Sequence, residues 1–273
     1  MNNTSNSNPS ADPSLESAIH YDEFLGPMFF EPYAIEIATR IHPSSVSLAL
    51  EIAAGTGRVT RHIRQRIPAS ANLIASDIDE NMLAVAKRKL AAPDIDWRKI
   101  DAQQLPFTSN SIDLVVCSFG YMFVPDKPKA FAEAYRVLSP GGMLLFTTWD
   151  KLENNAVSYI SRSAAKKYFE GTLPESYNVA TSMNDEAIIR PLLEEAGFSE
   201  ISIEKVQKHS VCTTAKKAAI GLVQNGAIFQ EIKKRNPAWI DEIIADVERE
   251  LSEKFGVAPM SAPISAVIIQ AWK

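Results

Sequence analysis

The chain has 273 residues, 46% hydrophobic and 22% charged, enough to bury one sizeable core. With 28 Lys and Arg against 33 Asp and Glu, its net charge of -5 excludes long-range attraction to nucleic acid or anionic lipid. Its 2 cysteines exclude a disulfide framework and a cysteine-rich metal site, and fit a reducing compartment.

Residues 1–14, "MNNTSNSNPSADPS", are polar and have neither the basic start nor the apolar stretch of a signal peptide, so a disordered tail is expected there. No apolar run is long enough to insert in a membrane, and a cytoplasmic protein is expected. Residues 15–41 have helical spacing, with a break expected at Gly26-Pro27 and the aromatic residues Tyr21, Phe24, Phe29, Phe30 and Tyr33 crowded together. A regular beat follows. Strands are expected at 48–53 ("LALEIA"), 72–77, 94–100, 111–118 and 143–149, with helices at 58–66, 80–90 and 127–138 between them. Past Asp150 the beat loosens into helices at 156–169 and 185–196, a strand at 201–207, a mostly helical stretch and a last strand at 264–272. Short apolar strands alternating with helices imply a parallel sheet covered on both faces, binding its ligand at the carboxyl ends of the strands.

The turn after the first strand, Gly55-Thr56-Gly57, is the first candidate site. It lacks the spacing of a phosphate-binding P-loop. It also departs from the dinucleotide pattern, because Thr60 stands where the third glycine belongs. Asp77 ends the second strand, where a carboxylate can take both hydroxyls of a ribose, whereas Asp79 reads as the cap of the next helix. Asp101 after the third strand is either a turn residue or an acceptor for the exocyclic amine of an adenine.

In this order "EIAAGTG", "IASDIDENML", "IDAQQLPF", "SIDLVVCSFGYMFVPD" and "RVLSPGGMLLFTTW" resemble the class I S-adenosylmethionine-dependent methyltransferases, within them the small-molecule group. Ala53 departs from the pattern where that family has its first glycine. The resemblance implies an α/β fold, a three-layer Rossmann-like sandwich. Its seven-stranded sheet would be mostly parallel, with the last strand antiparallel and a helical lid added. It also implies that S-adenosyl-L-methionine is the cofactor, with Glu51, Ala53, Gly55 and Gly57 facing its methionine part and Asp77 its ribose. Ile78 would pack on the adenine, Asp101 and Ala102 would read its edge, and Cys117 and Ser118 would border the sulfonium. One methyltransferase domain is expected over 15–273, with an amino-terminal helical lid at 15–43, a cofactor-binding core at 44–150 and a helical acceptor lid at 208–262.

A sulfonium methyl is already activated, so methyl transfer needs alignment and exclusion of water more than a catalytic side chain. His20, His209 and Tyr121 are candidate bases, and none of them is singled out. The Asn-Pro-Pro-aromatic signature of amino-methylating enzymes is absent after the fourth strand. "NPAW" at 236–239 reads as a helix boundary and "KKR" at 233–235 as a solvated helix end. A small-molecule acceptor is expected, with no nucleic acid partner, held by Tyr21, Phe30, Tyr121, Phe123, Leu222 and Phe229. Residues 218–229 would close over it. Two other readings are a non-catalytic relative that binds the same cofactor and a nicotinamide-dependent oxidoreductase.

Overall fold

The computed structural model describes residues 13–273, and the side chains of all of these except Pro13, Ala227 and Ile228. Most of the expected tail lies outside the described residues. Pro13 and Ser14, the end of that stretch, instead open a helix.

In chain order the elements are α1 (Pro13–Leu25), α2 (Glu31–Thr39), β1 (Leu48–Ile52), α3 (Arg58–Arg66), β2 (Asn72–Asp77), α4 (Glu80–Leu90), β3 (Ile95–Lys99), β4 (Ile112–Ser118), α5 (Lys127–Val137) and β5 (Leu138–Trp149). The second half adds α6 (Ala156–Lys166), α7 (Ser176–Val179), α8 (Glu186–Ala196), β6 (Glu200–Cys212), α9 (Ala215–Val223), α10 (Gly226–Arg235), α11 (Trp239–Phe255) and β7 (Met260–Trp272). The seven strands form one sheet in the order β3-β2-β1-β4-β5-β7-β6. The pairs among β1 to β5 are parallel, while β7 runs antiparallel to both β5 and β6.

Adjacent residues along the central strands point to opposite faces, and both faces are buried. Leu50, Val115 and Leu144 belong to one core cluster, which also holds Phe131 of α5, Ile160 of α6 and Val247 of α11. Their neighbours Ala49, Leu114 and Leu145 belong to the other, with Ile37 of α2 and Val59 and Ile63 of α3. This is the near-continuous apolar character of a strand covered on both sides. The strand order reverses at β1, whose neighbours are β2 and β4, and a crevice therefore opens beyond its carboxyl end.

Four boundaries differ from the sequence expectation in ways that bear on the site. Gly26-Pro27 does not break the amino-terminal helix. It is absorbed in a π-helical turn, Gly26–Phe30, closed by the Glu31 N–H donating to the Gly26 carbonyl. Proline has no N–H to give, and the wider turn tolerates this without ending the helix. β6 runs on to Cys212 and β7 begins at Met260, so the helical connection between them is 213–259, shorter than the expected lid of 208–262. The extra residues pair with each other, from Lys208 against Ile264 to Cys212 against Met260. β5 also starts earlier, at Leu138, because its Ser139 to Gly142 segment leads into the pairing with β4 through a register shift.

A cluster of charges fastens α1 and α2 to the Rossmann-like core. Asp22 Oδ1 accepts from Thr56 Oγ1 at 2.6 Å, Arg58 Nη2 at 3.0 Å and Lys89 Nζ at 2.6 Å, and Glu31 Oε2 accepts from Arg58 Nη1 at 2.9 Å. Burial alone would raise the Asp22 carboxyl, but bonds from Lys89 and Thr56 and the charges of Lys89 and Arg58 hold it below the usual range. A Cβ on Gly26 would overlap the Arg58 guanidinium, so the glycine lets the helix approach this cluster. The result is that Tyr21, one residue before Asp22, is fixed over the carboxyl end of β1.

Candidate active site

Beyond the carboxyl ends of β1, β2 and β4 lies a cavity of about 490 Å³, lined by Ala53, Gly55, Asp77, Ile78, Asp101, Ala102, Cys117 and Ser118 among others. Eight of the ten sequence-predicted cofactor residues therefore meet in one space. Glu51 borders a small recess beside it, shared with Tyr21, Ala53, Gly55 and Ser118.

The tenth, Gly57, does not face the cavity. It is left-handed, with φ 79°, and caps α3 at its amino end. A Cβ there would meet Leu90 Cδ1 at 3.0 Å, Ala86 Cβ at 3.1 Å and the Trp97 ring at 3.2 Å. Its role is to let the start of α3 pack against α4 and β3. Gly55, also left-handed with φ 55°, has nothing within 4 Å of where a Cβ would stand, because that direction is open cavity. Ala53 takes φ 54°, the conformation a glycine adopts more readily, and the space for its methyl comes from Gly120, whose own Cβ would lie 2.6 Å from it.

Three carboxylates give the cavity its chemistry. Asp77 accepts from the Gly55 N–H at 2.8 Å and the Asp79 N–H at 2.9 Å, one on each oxygen, which holds the glycine turn to the end of β2. Burial pushes its carboxyl up, against those two bonds. Glu51 is 1% exposed and its Oε2 has no partner. Burial pushes this carboxyl up to about 8, with Thr60 pulling the other way. Asp101 is the turn residue its sequence allowed, and it also stands at the cavity. It accepts from the Gln103 N–H at 2.8 Å and from Gln103 Nε2 at 3.0 Å as a turn residue, and it lines the cavity. The bonds from Gln103 hold it below the usual carboxylate range. Asp79 caps α4 as expected, accepting from the Asn81 N–H at 2.8 Å. A free buried carboxylate oxygen, a carboxylate on a glycine turn, and an acidic turn beside the 61% exposed Ile78 fit a ligand with an ammonium, a diol and a flat apolar base.

A second cavity of about 330 Å³ adjoins the first, and Tyr21, Phe119 and Phe123 line both. Its inner wall is aromatic. Phe119 stacks on Trp149 with centroids 4.0 Å apart, Phe29 meets Trp149 edge-on at 5.4 Å, and Tyr21 stacks on Phe30 at 5.2 Å. Of the expected acceptor residues, Tyr21, Phe30, Phe123 and Leu222 line it. Tyr121 does not. It is 1% exposed, with its ring 4.5 Å from Phe131 and 5.3 Å from Phe146, because the turn after β4 points it into the core. Phe229 also lies off the cavity lining, under the Lys233 ammonium at 5.2 Å. Its neighbour Ile228 has a side chain outside the described residues. None of the candidate bases lines either cavity. His20 stacks on Phe24 and faces Asn225, and its basicity is lowered by burial, while His209 faces Ser261 on the sheet edge.

Sequence reasoning missed Trp149 and the α6–α7 wall of this cavity, Ser158, Ser161, Arg162 and Tyr177. Trp149 had a signal, its place at the carboxyl end of a central strand. The α6 residues showed only ordinary helical spacing. Among the described residues no cluster of His, Cys, Asp and Glu could hold a metal, and no helix is long and apolar enough to cross a membrane.

A sequence profile described as a methyltransferase domain matches residues 50–146, the span from β1 to β5. The ubiquinone/menaquinone biosynthesis C-methyltransferase UbiE of Pseudoalteromonas translucida is 32% identical over 175 residues, covering 58% of this chain and 68% of that protein. The UbiE protein of Stutzerimonas stutzeri is 32% identical over 184 residues, covering 62% and 71%. Among solved structures, a Haemonchus contortus phosphoethanolamine N-methyltransferase in complex with S-adenosylhomocysteine matches with a TM-score of 0.60 at 20% identity, over 95% of this chain and 57% of that one. The YcgJ protein of Bacillus subtilis matches with a TM-score of 0.57 at 17% identity, over 89% and 98%. The fold, the profile and these relatives together define an enzyme that transfers a methyl group from a nucleoside sulfonium. The chain belongs to the class I S-adenosylmethionine-dependent methyltransferases. Its cofactor is S-adenosyl-L-methionine and its acceptor a small organic molecule.

Proposed function

We propose that this chain methylates an electron-rich aromatic ring, a phenol or hydroquinone, seated in the aromatic cavity. The observation that carries this reading is the meeting of the two cavities at Tyr21, Phe119 and Phe123, with flat rings on the acceptor side. Offset and edge-on contacts join Phe29, Phe30, Phe119 and Trp149 into one wall of a slot, against which another ring can pack. The UbiE relatives, named for C-methylation in quinone biosynthesis, support the same acceptor class.

In this reading Glu51 receives the ammonium of the methionine part and Asp77 the ribose diol. Ile78 packs on the adenine, Asp101 and Ala102 read its edge, and Cys117 and Ser118 border the sulfur. S-adenosylmethionine supplies an activated methyl carbon, displaced in line by the acceptor. The chain's part is to orient the acceptor and to exclude water, which α1, the π-helical turn and α9 do by covering the junction. Among the described residues no histidine or carboxylate lines the acceptor side, so the acceptor reacts as its phenolate, formed in bulk water before it enters, and a ring proton displaced by C-methylation is lost after the product leaves. A cytoplasmic location belongs to the same reading and fits two free, buried cysteines.

The test is turnover on a panel of hydroquinones, phenols and primary amines with S-adenosylmethionine. Methylated rings or ring hydroxyls are expected. Methylation confined to the amines would overturn the acceptor class.

A further inference from the structure

The aromatic cavity has a polar far wall. Ser158, Ser161 and Arg162 sit at positions i, i+3 and i+4 of α6, on one face, and α7 brings Ser176 and Tyr177 opposite them. Two hydroxyls on this wall have no partner among the described residues. Tyr177 is 7% exposed with its OH shut off from solvent and unbonded, and Ser176 Oγ is likewise buried and unbonded. Leaving such groups unsatisfied is costly, and a hydrogen-bonding ligand would remove that cost.

Arg162 adds a charge. Nη1 donates to the Tyr177 carbonyl at 2.9 Å, and Nη2 donates to Asn178 Oδ1. These bonds fix the guanidinium against α7 and use two of its five N–H groups. Among the described residues no carboxylate lies within ion-pair distance of it; Arg66, Arg88 and Arg235 are likewise without one, but of these four arginines Arg162 alone lines the aromatic cavity, whereas Arg40, Arg58, Arg61, Arg64, Arg98, Arg136, Arg190 and Arg249 have such a partner. Arg162 also borders an outer cavity that holds Lys166, so the positive character continues outward from the ring slot.

From this we infer that the acceptor carries an oxyanionic substituent, a carboxylate or a group of like charge and shape, remote from the methylated atom and bound by Arg162 with Ser176 and Tyr177. The inference rests on the reading of the aromatic cavity as the acceptor site, and it makes the acceptor two-ended. The ring faces the cofactor along Phe119 and Trp149, while the anion is held at the α6–α7 wall. A planar guanidinium with free donors is suited to a two-pronged bond to a carboxylate, and the serine and tyrosine hydroxyls would complete the cradle. Specificity follows as well as affinity, because an acceptor without the anion would leave Arg162, Ser176 and Tyr177 unanswered.

The test uses gentisate, a hydroquinone carboxylate, and its uncharged methyl ester, each titrated by calorimetry into the S-adenosylhomocysteine-loaded protein. Gentisate should bind about 10- to 100-fold more tightly than the ester, the range expected for a charge-assisted pair. That preference should vanish in Arg162→Gln, return in part in Arg162→Lys, and shrink about threefold to tenfold in Tyr177→Phe. Cofactor affinity, read in the same titrations, should stay within about twofold in all three variants, since none of these residues lines the strand-end cavity. Equal binding of acid and ester to the wild-type protein would overturn the inference, as would a preference that survives Arg162→Gln. Either result leaves the methyltransferase reading standing if S-adenosylhomocysteine still binds; failure of S-adenosylhomocysteine to bind the wild-type protein would count against that reading instead.

Discussion

The two cavities that meet at Tyr21 are made from different kinds of structure. The strand-end cavity is mostly backbone and short turns following on β1, β2, β3 or β4, and its Asp77 and Asp101 carboxylates are held by N–H groups of the same turns. The aromatic cavity draws on α1, the π-helical turn, the end of β5, α6, α7 and α9, which lie far apart in the chain. The first is fixed by the sheet, and its geometry survives as long as the parallel strands pair. The second depends on how helices pack, so it can change its ligand by side-chain substitution without disturbing the first. Such a division is what an enzyme family needs if it keeps one cofactor and varies its acceptors.

Substitutions can break or sharpen this contrast, and the largest effect is expected at the glycine turn. Gly55→Val puts a branched side chain at φ 55° and into open cavity, so S-adenosylmethionine affinity should fall on the order of 100-fold or more. A titration of the folded variant checks it, and near-native affinity would remove this turn from the cofactor site. Asp77→Ala should weaken cofactor binding by roughly 2–3 kcal/mol, because a charged acceptor is lost and the Gly55 N–H loses its holder. Calorimetry beside a melting curve separates lost binding from lost folding.

A third effect is in pH. Glu51 has its carboxyl raised by burial from 4.5 to about 8. Between those values the folded chain holds a proton that the unfolded chain has released, so this group's stabilisation is full below about 4.5 and is lost as pH rises towards about 8. The melting temperature should decline across that window and flatten above it, and Glu51→Gln should remove that part of the slope. Cofactor binding by an ionised Glu51 should release a proton below about 8, visible as a heat that depends on the buffer. The smallest effect belongs to the aromatic cavity. Leu222→Ala should weaken acceptor binding by about 1 kcal/mol with cofactor affinity unchanged, whereas Phe229→Ala should change neither, since only Leu222 lines the cavity. Equal losses for the two would return Phe229 to the acceptor site.

The same contrast explains what could be read from the sequence. Strand ends are local signals: an apolar run stops, and a glycine or an aspartate stands at a fixed offset, so the positions of Gly55, Asp77 and Asp101 at strand ends are legible in the sequence. Gly57 was misplaced because a left-handed glycine that packs a helix looks the same in sequence as one that faces a ligand. Tyr121 was misplaced because the short helical turn after β4 decides which of Tyr121 and Phe123 points outward, and that turn has no periodic signature. The Arg162 wall was illegible for a different reason. Its residues acquire meaning only when α7 brings Tyr177 and Ser176 across from α6, a contact between elements with no sequence pattern linking them. The π-helical turn was likewise hidden, since Gly-Pro ordinarily marks a break.

The most direct test of the division between the two cavities is a crystal structure with S-adenosylhomocysteine and a hydroquinone acceptor bound together. The account predicts the adenine on Ile78, the ribose hydroxyls on Asp77, the sulfur turned towards Phe119, and the acceptor ring packed against the wall formed by Phe30 and Trp149. An acceptor seated outside the aromatic cavity, or a nucleoside whose ribose does not touch Asp77, would contradict it.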